Sequence, residues 1–248
     1  MSLWRPETSR RAAWGLDARE LAWSPTGPAG TVRHAGHPEA LPQALSHLAP
    51  NTGVDVIAGN DVAVHWLQTP PSSVASLDEL RLVAAARCAH LYGGTPRDWW
   101  VAADWNANAP FVCAALPYTV VMAFQQKLAA AGVSARWHTA WGVACGSSDA
   151  NTFPADGWSA LRSPQRVLLW HCRDGRVDCL SMQGVAPGTT DEDANAQVLR
   201  QVRIEGMRNA SLASESLHWV NLGSGDELQA NEAVAALGLG KLLEGALS

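Results

Sequence analysis

Apolar and polar positions along this chain alternate, then recur at helical spacing, in an order that is used twice. Alternating runs at 12–16 and 20–24 flank Asp17-Ala18-Arg19, and 30–34 offers a third, so the chain opens on strands. Leu41, Leu45 and Leu48 share one helix face, which Pro42 weakens. VDVIAGNDVAVHWLQTP then predicts strands at 54–58 and 62–67, pinched at Gly59-Asn60-Asp61. Pro70-Pro71 breaks the pattern. Ser76 and Glu79 have the spacing of a capping box, in which each side chain satisfies an orphan amide of a new helix. Leu77, Leu80, Val83, Ala84, Cys88 and Leu91 follow at helical spacing, up to Gly93-Gly94.

DWWVAADW predicts a strand over 98–104 with two unequal faces. Trp99, Val101, Ala103 and Trp105 make the better core side; Trp100 shares the other with Ala102 and Asp104. The run at 111–116 is continuously apolar, as a central strand requires. Pro117 suits the first position of a helix lined by Val120, Val121, Phe124, Leu128 and Ala131. Residues 145–165 are rich in Gly, Ser, Asp and Pro and read as a hinge, with 151–165 as the linker proper. Beyond it, VLLWHC and VDCLSMQ are joined by Arg173-Asp174-Gly175-Arg176, a hairpin signal. A helix over 190–209, with Thr189 and Glu192 as its capping box, a strand at 217–222 and a helix over 227–247 complete the chain. Hairpin, helix, strand and helix thus occur twice, the mark of a doubled α/β unit. The expected division is a first lobe at 1–150 with an inserted subdomain at about 62–105, then the linker, then a shortened second lobe at 166–248.

Composition narrows the function. A length of 248 residues allows one large domain or two small lobes. The net charge of −5 and the lack of a dense Lys/Arg run argue against a nucleic-acid footprint; Arg5, Arg10 and Arg11 read as a solvated arm. Met1 to Trp14 has no apolar core of a secretory signal, and no run approaches the ~18 apolar residues of a membrane span. Five cysteines without a CxxC favour free thiols and a reducing cytosol. The 12 tryptophans read mainly as large core residues rather than sugar platforms.

Candidate chemistry is sparse. With Asp174-Gly175 as a two-residue loop, paired positions sum to 349, so His171 faces Asp178 and Cys172 faces Val177. Such a His–Asp pair can orient a general base, but no nucleophile can be assigned to it, and a cross-strand polar pair is the plainer reading. The other histidines (34, 37, 47, 65, 90, 138 and 218) lack ligand spacing, so neither metal nor catalytic residue is expected. Phosphate-binding turns of two-lobed ATPases need glycine for close backbone approach and aspartate for metal or water. Here the first turn carries Arg19 after Asp17, and the second carries Arg173 before Gly175. Gly223 and Gly225 offer a lone glycine turn. The motifs are half formed, and no cofactor is expected.

The run VDVIAGNDVAVHWLQTP, the helix ending HLYGG, the DWWV strand and the CAALP junction resemble the PilM/GspL-type proteins. These are actin-like inner-membrane platform components of type IV pilus and type II secretion machines. The likeness covers about 54–131, and extends loosely to WGLDARELAW and VLLWHCRDGRVDCL. It implies an α/β, two-lobed ribonuclease-H-like (actin-like ATPase) fold in degenerate form. It implies a non-enzymatic cytoplasmic adaptor, peripheral to the inner membrane, docking a membrane protein's cytoplasmic tail or the motor ATPase, with a homodimer possible. The alternative is a nucleotide-binding actin-fold ATPase or kinase; a tryptophan-rich ligand-binding module is a third reading. Trp100, a large aromatic on a mixed face, is the candidate partner-binding residue.

Overall fold

The computed structural model describes residues 11–16, 20–23, 32–35, 45–46, 48, 53–146, 156–208, 217–221 and 234–235. It is built on two five-stranded sheets of identical plan. The first contains β1 (Arg11–Leu16), β2 (Glu20–Trp23), β3 (Val32–Ala35), β4 (Gly53–Ala58) and β8 (Ala135–Thr139), in the order β3-β2-β1-β4-β8. The second contains β9 (Gly157–Arg162), β10 (Arg166–Arg173), β11 (Arg176–Gly184), β12 (Leu217–Asn221) and β13 (Val234–Ala235), in the order β11-β10-β9-β12-β13. In both, the first three strands pair antiparallel and the remaining pairings are parallel. Every residue of β4 and of β9 is buried, as parallel central strands covered on both faces require.

Between β4 and β8 the first lobe carries an insertion. It comprises β5 (Val64–Gln68), α1 (Leu77–Tyr92), β6 (Trp99–Ala103) and β7 (Phe111–Pro117), with sheet order β5-β7-β6. Alternation splits this sheet cleanly. Val64, Trp66, Cys113 and Ala115 pack under Leu80, Ala84 and Cys88 of α1, and Trp99, Val101, Ala103 and Trp105 border that core. The chain then enters α2 (Tyr118–Ala130), whose Val121, Phe124 and Leu128 recur at helical spacing and pack on Trp14, Leu16, Val54 and Val56. Full burial of a side chain such as Phe124 contributes about 2–3 kcal/mol. A third core joins the lobes: Ile57 and Ala140 of the first pack with Leu161, Leu168 and Trp170 of the second.

The structure corrects several expectations. Residues 157–162, assigned above to the linker, form the middle strand of the second sheet. The insertion runs on through β7, beyond the 62–105 stretch. β8 and the following α3 (Ala140–Gly146) were not foreseen. At α1 the Ser76 oxygen accepts from Glu79 N at 3.2 Å, but the Glu79 carboxylate reaches back to Ala75 N at 2.8 Å, one residue beyond the capping-box position. Pro117 is the N-cap of α2 rather than its first residue. α4 (Asp191–Arg208) is capped by Thr190 with Asp193, not by Thr189 with Glu192, because Thr190 Oγ1 is the oxygen that meets Asp193 N, at 3.1 Å. Of the helix predicted over 227–247, the described residues Val234 and Ala235 are instead a strand paired with β12.

Candidate functional site

The two sheets have the same plan, so their loops can be matched. The β1–β2 turn at 17–19 corresponds to the β9–β10 turn at 163–165. The Arg173-Asp174-Gly175 turn joins β10 to β11 and therefore matches the β2–β3 connection, not a phosphate turn. That is a correction to its assignment from sequence. Its conformation is that of a tight hairpin, with Asp174 at φ 51° and Gly175 at φ 68°. Arg173 pairs with Asp178 at 3.3 Å, and His171 Nδ1 lies 2.6 Å from the other oxygen of the same carboxylate. A bulge between His171 and Cys172 sets His171 opposite Cys179, so the predicted contact with Asp178 is made off register. Trp158 lies edge-on to the His171 ring at 5.1 Å. Burial pushes the Cys179 thiol up to about 11, away from a reactive thiolate.

The loop that does occupy the phosphate position is Ser163-Pro164-Gln165, and its amide donors are spent. Ser163 N donates to Arg166 O at 2.8 Å. Pro164 has no N–H. Gln165 N donates to Asp61 Oδ1 at 3.1 Å, and Ser163 Oγ donates to the same oxygen at 2.7 Å. Asp61 belongs to the turn after β4, in the other lobe. Its neighbour Asn60, fully buried, donates to Leu161 O at 2.9 Å across 101 residues of sequence. Gly59 N donates to Leu16 O at 2.7 Å, which places the end of β1 beside the same turn. The chain's own carboxylate thus fills the spot where an anion would meet this loop.

A groove lies elsewhere, between the insertion and the edge of the first sheet. Two contiguous cavities, of about 230 and 360 Å³, share Asp104, Val112 and Trp141. β6 is hydrogen-bonded only to β7, and β8 only to β4, so each presents a free edge among the described residues. Trp100 and Ala102 of β6, Ala114 of β7 and Trp137 and Thr139 of β8 line the smaller cavity. Trp100 meets Trp137 edge-on at 6.4 Å, and Phe124 supports Trp137 from below at 5.8 Å. Trp141, from the first turn of α3, links the groove to the interlobe core through Trp170 at 6.2 Å. Beneath Trp141 lies His65, its ring 5.8 Å away. His65 is fully buried with neither ring nitrogen hydrogen-bonded, and that burial pulls its pKa down to about 3, so the ring is neutral.

No protein-family profile matches the chain, and no curated protein matches it by sequence. Solved structures do match in shape. The cytoplasmic domain of EpsL, an inner membrane component of the type II secretion system of Vibrio cholerae, superposes with a TM-score of 0.60 at 16% identity, over 96% of this chain and 95% of that one. A chain of the PilM-PilN type IV pilus biogenesis complex gives 0.57 at 10% identity, over 86% and 81%. A Bacteroides thetaiotaomicron protein of unknown function with an actin-like ATPase fold gives 0.56 at 9% identity, over 90% and 86%. The fold is that of the actin-like ATPases.

Within this actin-like frame the described members of the sequence-predicted set lie apart, on the second-lobe hairpin and on the groove. Asp17, Arg19, Gly223 and Gly225 lie outside the described residues. Arg173 and Gly175 sit on an exposed hairpin. Trp100 is half-buried, with one part packed against the core under α2 and the rest on the groove. Sequence reasoning missed Asp61, Ser163 and Gln165, which form the interlobe lock, and Trp137 and Trp141, which form the groove with Trp100. The alternation of Ala135, Trp137 and Thr139 against Arg136 and His138 was the available signal for the latter. Among the described residues no three His, Cys, Asp or Glu side chains gather as a metal site, and no helix is long and apolar enough to cross a membrane.

Proposed function

We propose that this chain is an assembly component of a type II secretion or type IV pilus machine, working as a non-enzymatic adaptor at the cytoplasmic face of the inner membrane. Its docking site is the groove between β6 and β8, and its ligand is an extended cytoplasmic segment of a membrane partner. The observation that carries this reading is a contrast: the phosphate-side loop has no amide to offer, while the groove has two unpaired strand edges beside an apolar floor. An extended segment gains main-chain hydrogen bonds by adding to such an edge and seats alternate side chains in the cavities. The structural likeness to PilM, whose solved complex includes PilN, and to the EpsL cytoplasmic domain supports a membrane-protein partner.

The test is site-directed photocrosslinking in the native cell, with a photoreactive residue at the exposed Asn106 on the rim of the larger cavity and a control at the exposed Arg200 of α4. A groove-dependent adduct with the cytoplasmic segment of an inner-membrane protein supports the proposal. Equal adducts from both positions, or none from Asn106, overturn it. The alternative, a nucleotide-binding actin-fold ATPase or kinase, requires Mg-ATP to bind in a saturable micromolar manner in calorimetry; the expected result is none.

A further inference from the structure

We infer that the cavity of about 230 Å³ in the groove is an arginine pocket, built to take a guanidinium from the docked segment. The inference rests on the docking reading above. Three tryptophans from three elements wall this cavity: Trp100 of β6, Trp137 of β8 and Trp141 of α3. They differ from the chain's structural tryptophans. Trp14, Trp158 and Trp170 are at most 1% exposed, whereas the three in the groove all keep accessible surface. The floor is kept low by Ala102 and Ala114, which are direct cross-strand partners and carry only methyl groups. The volume is below the ~300 Å³ at which small-molecule pockets begin, and fits one long side chain.

Asp104 gives the pocket its sign. Among the described residues it is the only carboxylate lining the cavity, and neither lysine nor arginine lines it. Among the described residues Asp104 makes no hydrogen bond or ion pair. His138 also borders the cavity, but its Nε2 is held 3.4 Å from Asp55 Oδ1. Arg176 lines the neighbouring larger cavity. An apolar side chain would fill the space yet leave the carboxylate unanswered. A guanidinium is flat, stacks on indole faces and presents two parallel donors to a carboxylate. The chain already uses the same chemistry at the other face of this strand's end, where Arg81 Cζ lies 5.8 Å from the Trp105 ring centre.

The experiment uses the full chain labelled with 15N-tryptophan, with the indole signals of Trp100, Trp137 and Trp141 assigned by single Phe substitutions. It is titrated with N-acetyl-arginine methylamide and, separately, with the isosteric neutral N-acetyl-citrulline methylamide. The expected result is saturable movement of the three groove signals by the arginine probe, without movement of Trp14, Trp158 or Trp170, and binding about tenfold weaker for citrulline. Asp104→Asn should reduce the arginine probe to the citrulline level. Ala102→Leu, which fills the floor, should abolish both. Equal affinity of the two probes, or no response of the groove indoles, overturns the arginine pocket. If the Asn106 photocrosslink persists at full yield in Asp104→Asn, the pocket assignment falls while the docking proposal stands; if the crosslink is absent from the parent chain, the docking proposal itself fails.

Discussion

The turn at 59–63 and the groove at β6–β8 belong to the same lobe, yet they treat their polar groups in opposite ways. At the turn, Asn60 donates its amide to Leu161 O and Asp61 accepts from Ser163 and Gln165, all on the other lobe, with only Asn60 Oδ1 left without a partner among the described residues. At the groove, Asp104 is unpaired among the described residues, two strand edges end without partners, and His65 and the indole of Trp141 keep buried nitrogens without hydrogen bonds. A surface that has used its donors internally is a joint. The groove, which has not, is assigned to a partner by the docking proposal. Of the two interlobe turns that an actin-fold ATPase leaves free for phosphate, the described one, at 163–165, is met by Asp61 instead.

The largest effect that tests this contrast is on stability. Trp170→Ala, which empties a fully buried position in the interlobe core, should cost about 3–5 kcal/mol in urea unfolding. Trp100→Ala, on the groove wall, should cost less than about 2 kcal/mol. Equal losses would mean that the groove wall is core, and the distinction would fail.

The buried His65 gives the next effect, and it depends on pH. Its folded pKa is lowered from 6.5 to about 3, so above 6.5 the ring is neutral whether the chain is folded or not. Below 6.5 the unfolded chain takes up a proton that the folded chain refuses, so stability falls by up to about 1.4 kcal/mol per pH unit until about 3. His65→Leu should therefore remove about 2 kcal/mol of acid-induced loss at pH 5 and change little of the pH dependence above 7. Parallel pH-dependent melts of the two chains measure the slope.

Asp61→Ala should cost about 1.5 kcal/mol, because it leaves the Gln165 amide without its acceptor and the Ser163 hydroxyl with only the longer bond to Arg166 O at 3.1 Å. It should not create an ATP site, since one freed amide next to a proline is not a phosphate cradle; calorimetry on this variant checks it. The smallest effect is that of Asp104→Asn, within about 0.5 kcal/mol of the parent in stability. A larger loss would reveal a structural partner for that carboxylate.

Much of the fold was readable because its signals are local. Alternation found β1 to β3 and both faces of β6, helical spacing found α1, α2 and α4, and Asp174-Gly175 fixed the hairpin. What escaped was set by distance. β9 reads GWSALR inside a run of Gly, Ser, Asp and Pro, and its buried Ser159 and Arg162 hide the apolar signature of a central strand. Without β9 the second lobe began one strand late, and the phosphate turn was sought one hairpin too far along. The 349 sum holds for Cys172 with Val177 and fails at His171, because a bulge inserts a residue that no turn motif announces. The lock between Asn60 and Leu161 leaves no trace near either residue. Trp100 was found because its face looked poor as an interior; its companions Trp137 and Trp141 arrive from a strand and helix that the sequence reading passed over.

That lock also sets a schedule for the chain as it is made. Asn60 meets Leu161 only after 101 further residues have been added. At about 5–20 residues per second, the turn waits roughly 5–20 s on the ribosome with its amide and carboxylate facing water. The insertion, whose strands pair within 53 residues of one another from Val64 to Pro117, is complete long before that. The insertion is therefore assembled first, and the step that joins the lobes is the closure of a long loop, the kind of non-local contact that limits folding rate.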